Sequence, residues 1–278
     1  MNDERMELGQ AREIVGRLAE LLRDTCDRVE VAGSIRRGKA TVKDAELVVI
    51  GRGRELLDRL DQMVIAGTIS KALYGEKGLT RWGAAYRGLV FDGLRVEIFG
   101  ADEHSWGNQY WLRTGPGDAN QFIMKWLIWK RAPLRFQDGH VWYSANWQSV
   151  KDGWKSADRK KLALREEADF FAVMGIPEID PGARTDAVYR ELLSNRAHRL
   201  PDMAQWFVQE DAQGELIGAA PVVASRTVDP VVKAAERAYM TKCMRRHEAI
   251  FERAARGEAL AEWEQRIVDN RKGRGVLE

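Results

Sequence analysis

The run Leu47–Ile50, in which every residue is aliphatic, constrains the fold more than any other segment. A strand that is apolar on both faces is typical of the interior of a covered sheet. Two acids, Asp44 and Glu46, stand at the entrance to this run. Because strand side chains alternate, both carboxylates are expected to point to one face. The sequence therefore predicts a central strand with an acidic entrance.

The rest of the chain predicts a mixed α+β protein. Apolar positions at helical spacing, or at alternating spacing, distinguish helices from strands. Helices are predicted at Glu4–Arg28, Glu55–Ile65, Asn120–Lys130 and Leu164–Met174, and the chain is expected to be mostly helical after Arg184. Strands are predicted at Arg28–Ala32, Ile69–Tyr74, Thr80–Tyr86, Leu89–Phe99, Leu134–Phe136 and His140–Tyr143. Turns are predicted at Arg87–Gly88, Asp92–Gly93 and Asp138–Gly139, and a turn-rich basic connection at Gly33–Lys43.

Composition narrows the class of protein without deciding its partner. A net charge of +2 is weaker than the basic footprint of a dedicated duplex binder, although lysines and arginines can still line one cleft. The two cysteines, Cys26 and Cys243, match no metal-binding spacing and are expected to be buried thiols. No apolar run approaches a membrane span, and Met1–Met6 does not resemble a signal peptide. A cytoplasmic protein without a membrane partner is expected.

A third acid, Glu97, lies in the middle of the predicted strand, between Val96 and Ile98. If this strand neighbours Leu47–Ile50, three carboxylates converge on one patch and repel each other unless a cation neutralises them. Magnesium prefers such hard oxygen ligands and shares its coordination shell with substrate phosphates. Two ions about 3.5–4 Å apart would activate an attacking hydroxyl and stabilise a leaving pyrophosphate.

A basic turn precedes the acids. Gly33 and Ser34 would expose backbone N–H groups and a hydroxyl to an anion, and Arg36 and Arg37 would clamp phosphate oxygens. Taken singly, an acidic pair on a strand is usually a solvated face, and a Gly-Ser turn is usually only a turn. Their combination with a distant acid within a strand favours a phosphoryl-transfer site.

The segment Val31–Ile50 resembles the palm signature of family X DNA polymerases, GSxRRG followed by an acid-x-acid pair. Four further segments resemble family motifs in the same order. They are Gly78–Arg81 (template backbone), Leu94–Glu97 (third metal ligand), Leu112–Gly115 with Asn120 (the TGS…N turn) and Glu166–Arg184 (the end of the thumb). The resemblance covers more than half of the chain and implies a DNA polymerase beta-like nucleotidyltransferase palm, a mixed sheet with helices on one face.

The resemblance also implies a role for each matching residue. Asp44 and Glu46 would bind two magnesium or manganese ions, and Glu97 would bind the catalytic ion and receive the proton of the primer hydroxyl. The remaining roles fall to residues that contact the substrates. They are Gly33, Ser34 and Arg37 for the triphosphate; Thr114, Gly115 and Asn120 for the sugar and base; Arg95 for the primer terminus; and Lys77, Thr80 and Arg81 for template phosphates.

The chain departs from the family pattern at several positions. Glu46 and Glu97 replace aspartates, which lengthens two ligands by a methylene and resembles a phage or prophage variant. Pro116 replaces a serine, and Leu112 and Arg113 replace an aromatic pair near the sugar. A single helix precedes the palm, so the family's lyase and fingers domains are expected to be absent. The family's phosphoesterase domain is not expected either, because too few residues follow the thumb and the four histidines do not cluster.

These observations predict an N-terminal helix at 1–27, a palm at 28–125, a thumb-like subdomain at 126–185 and a helical extension at 186–278. The expected activity is transfer of deoxynucleotides from a triphosphate to a DNA primer-template, by a monomer, in replication or repair. Two alternatives stay open: transfer to RNA, protein or a small molecule, and a DNA-binding palm without catalysis.

Two weaker signals accompany this prediction. Core packing is expected for most tryptophans between Trp106 and Trp154, although some could stack on unpaired bases. The C-terminal region is expected to form a solvated helix pair. Its basic residues could instead bind DNA; they are Arg245, Arg246, Arg271, Lys272 and Arg274.

Overall fold

A computed structural model describes residues 5–150, 153–194 and 198–208, together with Arg253 and Arg256. The chain divides into two compact units, Met1–Ala224 and Ser225–Glu278, and the first contains nearly all of the described residues. The five basic residues singled out in the C-terminal region lie outside the described residues. Within the described part, no helix combines the length and the apolar character needed to cross a bilayer.

The first unit contains both helices and strands, which confirms the predicted α+β class. The helices are α1 (Leu8–Leu22), α2 (Gly33–Arg36), α3 (Glu55–Ile65), α4 (Trp106–Thr114), α5 (Gly117–Trp129), α6 (Glu167–Val173) and α7 (Asp186–Ser194). The strands are β1 (Met6–Glu7), β2 (Cys26–Val31), β3 (Thr41–Val42), β4 (Ala45–Gly51), β5 (Ser70–Lys71), β6 (Leu73–Tyr74), β7 (Leu79–Thr80), β8 (Tyr86–Phe91), β9 (Leu94–Gly100), β10 (Leu134–Gln137), β11 (His140–Tyr143), β12 (Gln148–Val150), β13 (Gly153–Lys155) and β14 (Lys160–Leu162).

A five-stranded mixed sheet in the order β2-β4-β9-β8-β5 forms the centre of the first core. The pair β4 and β9 is parallel, and the other neighbours are antiparallel. The aliphatic strand β4 therefore lies inside the sheet, as its sequence predicts. The turn at Asp92 and Gly93 joins β8 to β9, and both residues have positive φ, which suits a tight hairpin.

The two faces of the central sheet have different coverings. Leu47, Val49, Val96 and Ile98 belong to one buried cluster with the apolar sides of α1 and α3. On the opposite face, Val48 packs against Trp106 of α4. The prediction of helices on one face is therefore incomplete. Glu46 and Glu97 share the second face with Val48, beside the part that α4 covers.

A second hydrophobic core lies between residues 111 and 207 and includes side chains from α4, α5, α6, α7 and the sheet β10-β11-β14. Trp111 is fully buried there, stacks on Phe170 at a centroid distance of 3.7 Å, and donates its indole N–H to the Tyr189 hydroxyl. The boundary predicted between residues 125 and 126 falls inside α5, and side chains on both sides of it pack in this core. This predicted boundary therefore lies within a helix and within a continuous core.

Several element boundaries differ from the predictions. The N-terminal helix ends at Leu22, and its apolar face is part of the first core rather than a separate domain. The expected turn at Arg87–Gly88 is wrong, because both residues lie inside β8. The expected strand Ile69–Tyr74 is split into β5 and β6, which pair with different strands. A turn was expected from Gly33 onwards, but residues Gly33–Arg36 form the short helix α2.

Candidate active site

Glu46 of β4 lies directly opposite Glu97 of β9 in the parallel register of the central sheet. Asp44 immediately precedes β4, two residues before Glu46. All three side chains are half-buried. The parallel pairing of β4 with β9 therefore brings together the three carboxylates that the sequence singled out, and they are referred to below as the acid cluster.

Burial and mutual repulsion make the acid cluster unfavourable when it is fully ionised. Burial raises the pKa of Glu46 to about 7, with further contributions from Asp44 and Glu97. Burial also raises the pKa of Asp44, and the next contribution comes from Glu97. At neutral pH the cluster is therefore stabilised by whatever neutralises it, either a proton or a cation.

The donor set of the acid cluster suits a hard divalent cation, because all of its ligating atoms are carboxylate oxygens. Within the described residues, however, no three His, Cys, Asp or Glu side chains are already gathered in a metal-holding arrangement. Binding a metal ion would therefore require the carboxylates of the cluster to rotate towards a shared centre. The longer arms of Glu46 and Glu97 supply the rotatable bonds for this movement.

Two tyrosines and an arginine surround Glu97. The Tyr74 hydroxyl lies 3.3 Å from Glu97 Oε1 and 2.7 Å from the Tyr86 hydroxyl. Arg95 lies 4.0 Å from the centre of the Tyr74 ring, and its Nε is 3.8 Å from Glu97 Oε1. Burial and the hydrogen bond to Tyr74 raise the pKa of Tyr86, so this phenol stays protonated near neutral pH. Neither tyrosine was predicted from the sequence, because only the folding back of β6 and β8 brings them to Glu97.

Arg113 of α4 is the cation that sequence reasoning did not connect with the acid cluster. Its guanidinium lies 3.8 Å from the centre of the Phe99 ring, and Glu46 and Glu97 attract it electrostatically. Burial nevertheless lowers the pKa of Arg113. The available signal was that Arg113 differs from the aromatic residue of the family that the sequence resembles. In the structure, Arg113 carries a positive charge beside Glu46 and Glu97.

The short helix α2 lies against the acid cluster at Gly33. The Ala32 N–H donates to the Glu46 carbonyl at 2.8 Å, which fixes the start of α2 beside β4. Gly33 has φ +67°, and a Cβ added there would lie 1.9 Å from Glu46 Oε2. The positive φ favours glycine, and any side chain at this position would have to displace the Glu46 carboxylate. Ser34 follows in the first turn of α2 and is half-buried.

The two arginines of the basic segment have different environments. Arg36 forms a double hydrogen bond with Glu167, donates to the Thr114 hydroxyl at 2.7 Å and lies over the Tyr110 ring. Its prediction as a phosphate clamp is therefore wrong, since its guanidinium is engaged within the protein. Arg37 donates to the Thr114 carbonyl, and its buried Nε has no partner among the described residues. Burial lowers the pKa of Arg37, and Glu46 is the largest opposing influence.

The residues predicted to shape the sugar and base pocket make contacts within the protein. Thr114 is fully buried, and its hydroxyl accepts a hydrogen bond from Arg36. Asn120 is 7% exposed and donates from Nδ2 to the Leu112 carbonyl at 2.7 Å. Gly115 passes close to Arg37, because an added Cβ would lie 2.9 Å from Arg37 Nη1. Thr114 and Gly115 thus hold the turn between α4 and α5 against Arg37, and Asn120 connects α5 to the end of α4.

The predicted template contacts lie on an exposed hairpin beside the acid cluster. Lys77 is in the turn between β6 and β7, and Thr80 ends β7. Both are exposed, as is Arg81, whose guanidinium lies 4.6 Å from the centre of the Tyr74 ring. Arg81 and Arg95 thus contact the same tyrosine that reaches Glu97. The hairpin therefore places two exposed positive charges, Lys77 and Arg81, beside the acid cluster.

Comparison with known proteins assigns no family to the chain. No protein-family model matches it, and no curated protein is similar to it.

Proposed function

We propose that this chain is a metal-dependent nucleotidyltransferase with a DNA polymerase beta-like palm, which adds deoxynucleotides to a DNA 3′-hydroxyl and releases pyrophosphate. One observation carries the proposal: Glu46 faces Glu97 on adjacent parallel strands, with Asp44 at the entrance to the same strand. Three carboxylates in one half-buried patch are unfavourable for stability alone, so a role in binding cations accounts for their presence.

The residues of the site divide the proposed chemistry among them. Asp44, Glu46 and Glu97 would hold magnesium or manganese, which supplies charge neutralisation and lowers the pKa of the attacking hydroxyl. A carboxylate oxygen of Glu97 would accept the proton of that hydroxyl. Arg37, whose positive charge Glu46 favours, would neutralise phosphate oxygens. Gly33 keeps the approach to Glu46 open, because any side chain there would collide with the carboxylate.

The exposed hairpin favours a nucleic acid as acceptor. Lys77, Thr80 and Arg81 present two positive charges and a hydroxyl to solvent next to the acid cluster. A polyanion gains from such a surface because it releases counterions when lysine and arginine neutralise its phosphates. A small-molecule acceptor would not need contacts of this extent. We infer a monomer that acts in the cytoplasm, in phage replication or repair, from the resemblance of the sequence.

A primer-extension assay tests the proposal. A labelled DNA primer, with and without a template, would be incubated with deoxynucleotides in magnesium and then in manganese. Asp44→Ala should abolish extension, whereas Glu30→Ala, which removes an exposed acid from β2 of the same sheet, should retain it. Equal extension by the wild type and Asp44→Ala would overturn the assignment of the site.

The same assay separates the alternatives. Extension that depends on the template indicates a polymerase, and tailing without a template indicates a terminal transferase. If no DNA or RNA end is extended, labelled nucleotide transfer to proteins and small molecules would test a different acceptor. Nucleotide binding that is unaffected by added metal would instead support a palm without catalysis.

A further inference from the structure

The sheet β10-β11-β14 has one apolar face and one face that combines cations with an aromatic ring. Val141 and Leu162 point into the second core. On the opposite face, Arg135, Trp142 and Lys161 lie side by side, because Trp142 pairs with Arg135 on one strand and with Lys161 on the other. Arg135 is buried, with its guanidinium 4.2 Å from the centre of the Trp154 ring. The half-buried Trp142 and Lys161 therefore form the part of this face that reaches solvent.

Trp142 on this outer face is accompanied by two cations. The Arg159 guanidinium lies 4.3 Å from the centre of the Trp142 ring, and Lys161 Nζ lies 5.5 Å from it. Gln137 fixes the arrangement, since its side-chain oxygen accepts from Arg159 at 2.8 Å and its carbonyl accepts from the indole N–H at 3.2 Å. An aromatic ring and an arginine are thus held together at the surface, where a guanidinium can also stack on a further planar group.

The surroundings of Trp142 carry an excess of positive charge. Residues 155–161 contain Lys155, Arg159, Lys160 and Lys161 against the single acid Asp158. The Asp158 carboxylate already accepts hydrogen bonds from Ser144 and Asn146. The nearby acid Asp102 is paired with His140 at 2.8 Å. Lys155 and Arg159 are exposed, so their charges are available to an anionic partner. Lys160 is also exposed, but it pairs with Tyr143 on the opposite face of the sheet and lies over the Phe207 ring.

We propose that Trp142, Arg159 and Lys161 form a binding surface for single-stranded nucleic acid. Lys161 would pair with a backbone phosphate, and an unpaired base would stack on the Arg159–Trp142 pair. A cationic surface interleaved with aromatic rings is the arrangement that binds unpaired strands with little sequence preference. A duplex keeps its bases stacked internally and would use only the charges. This inference goes beyond the proposed reaction, because it requires neither a metal ion nor the acid cluster.

Fluorescence anisotropy with the full-length protein tests this inference. The probe would be a labelled oligodeoxythymidylate of about twelve nucleotides, in EDTA so that no catalysis intervenes. The double variant Arg159→Glu/Lys161→Glu should bind at least about tenfold more weakly. The slope of log K against log salt concentration should also become less steep, by about 0.7 for each phosphate contact removed. The control Arg12→Glu/Arg54→Glu makes the same charge change on exposed residues at α1 and the start of α3 and should bind like the wild type.

The contribution of stacking is tested separately at Trp142. Trp142→Leu should weaken binding roughly five- to tenfold, and Trp142→Phe should recover most of this loss because a ring remains. Circular dichroism and thermal melting would establish that each variant is folded. Wild-type affinity in the Arg159→Glu/Lys161→Glu double variant would overturn the inference, as would equal competition by a duplex of the same length. Loss of primer extension with this binding intact would count against the proposed reaction only.

Discussion

Arg36 and Glu167 are joined by two hydrogen bonds, from Nη1 to Oε1 at 2.7 Å and from Nη2 to Oε2 at 2.6 Å. This pair connects α2, beside the acid cluster, to α6 in the second core. Glu167 also accepts from Arg184, whose side chain is completely buried, at 2.7 Å. One carboxylate therefore neutralises two guanidinium groups between the acid cluster and the second core.

We expect Glu167→Gln to destabilise the protein by about 3 kcal/mol or more, because it leaves two arginines without their counterion in a buried environment. Glu166→Gln, which affects the neighbouring and more exposed ion pair with Arg28, should cost about 1 kcal/mol or less. Urea unfolding followed by tryptophan fluorescence would compare the two variants. Similar losses in both would show that Glu167 has no special role in joining α2 to α6.

The acid cluster predicts an unusual dependence of stability on pH in the absence of metal. The pKa of Glu46 is about 7 in the folded protein, against a model-compound value of 4.5, so the folded state binds the proton more tightly. The free energy of unfolding should therefore fall as the pH rises from about 4.5 to 7, by roughly 3 kcal/mol from this group at most. Glu46→Gln should remove this dependence and increase the melting temperature at pH 8 in EDTA. Glu30→Gln, on the exposed part of β2, should leave the wild-type profile unchanged.

Gly33 and Gly38 provide a matched pair for testing the contact with Glu46. Both have positive φ, +67° and +72°, but a Cβ at Gly33 would lie 1.9 Å from Glu46 Oε2, whereas nothing lies within 4 Å at Gly38. Both alanine variants should lose about 1–2 kcal/mol from backbone strain. Only Gly33→Ala should also displace Glu46 and reduce magnesium binding and primer extension. Equal effects of the two variants on activity would contradict the importance of this contact.

Arg113 should oppose metal binding, because its positive charge already partly balances Glu46 and Glu97. We expect Arg113→Met to increase magnesium affinity about tenfold, corresponding to a change of roughly 1.4 kcal/mol in the electrostatic free energy of the site. Arg113→Lys retains the charge and should bind magnesium like the wild type. Isothermal titration calorimetry measures both affinities directly. Unchanged affinity in Arg113→Met would show that the guanidinium does not act on the acid cluster.

Local sequence determined the features that depend on neighbouring residues. The aliphatic run Leu47–Ile50 gave the interior strand β4, since burial on both faces requires apolar side chains throughout. The pairs Asp92–Gly93 and Asp138–Gly139 gave hairpin turns, because both members of each pair adopt positive φ. Alternation along β4 also places Glu46 on the face of Val48, opposite to Leu47 and Val49.

Tertiary structure decided which distant residues meet. The parallel register of β4 and β9 places Glu97 opposite Glu46, and a shift of one residue would have turned Glu97 to the other face. The docking of α6 engaged Arg36 with Glu167, although the sequence pattern alone grouped it with Arg37 as a phosphate ligand. The folding back of β6 likewise brought Tyr74 to Glu97. Local sequence sets side-chain direction and backbone conformation, whereas these contacts depend on long-range packing that residue spacing does not encode.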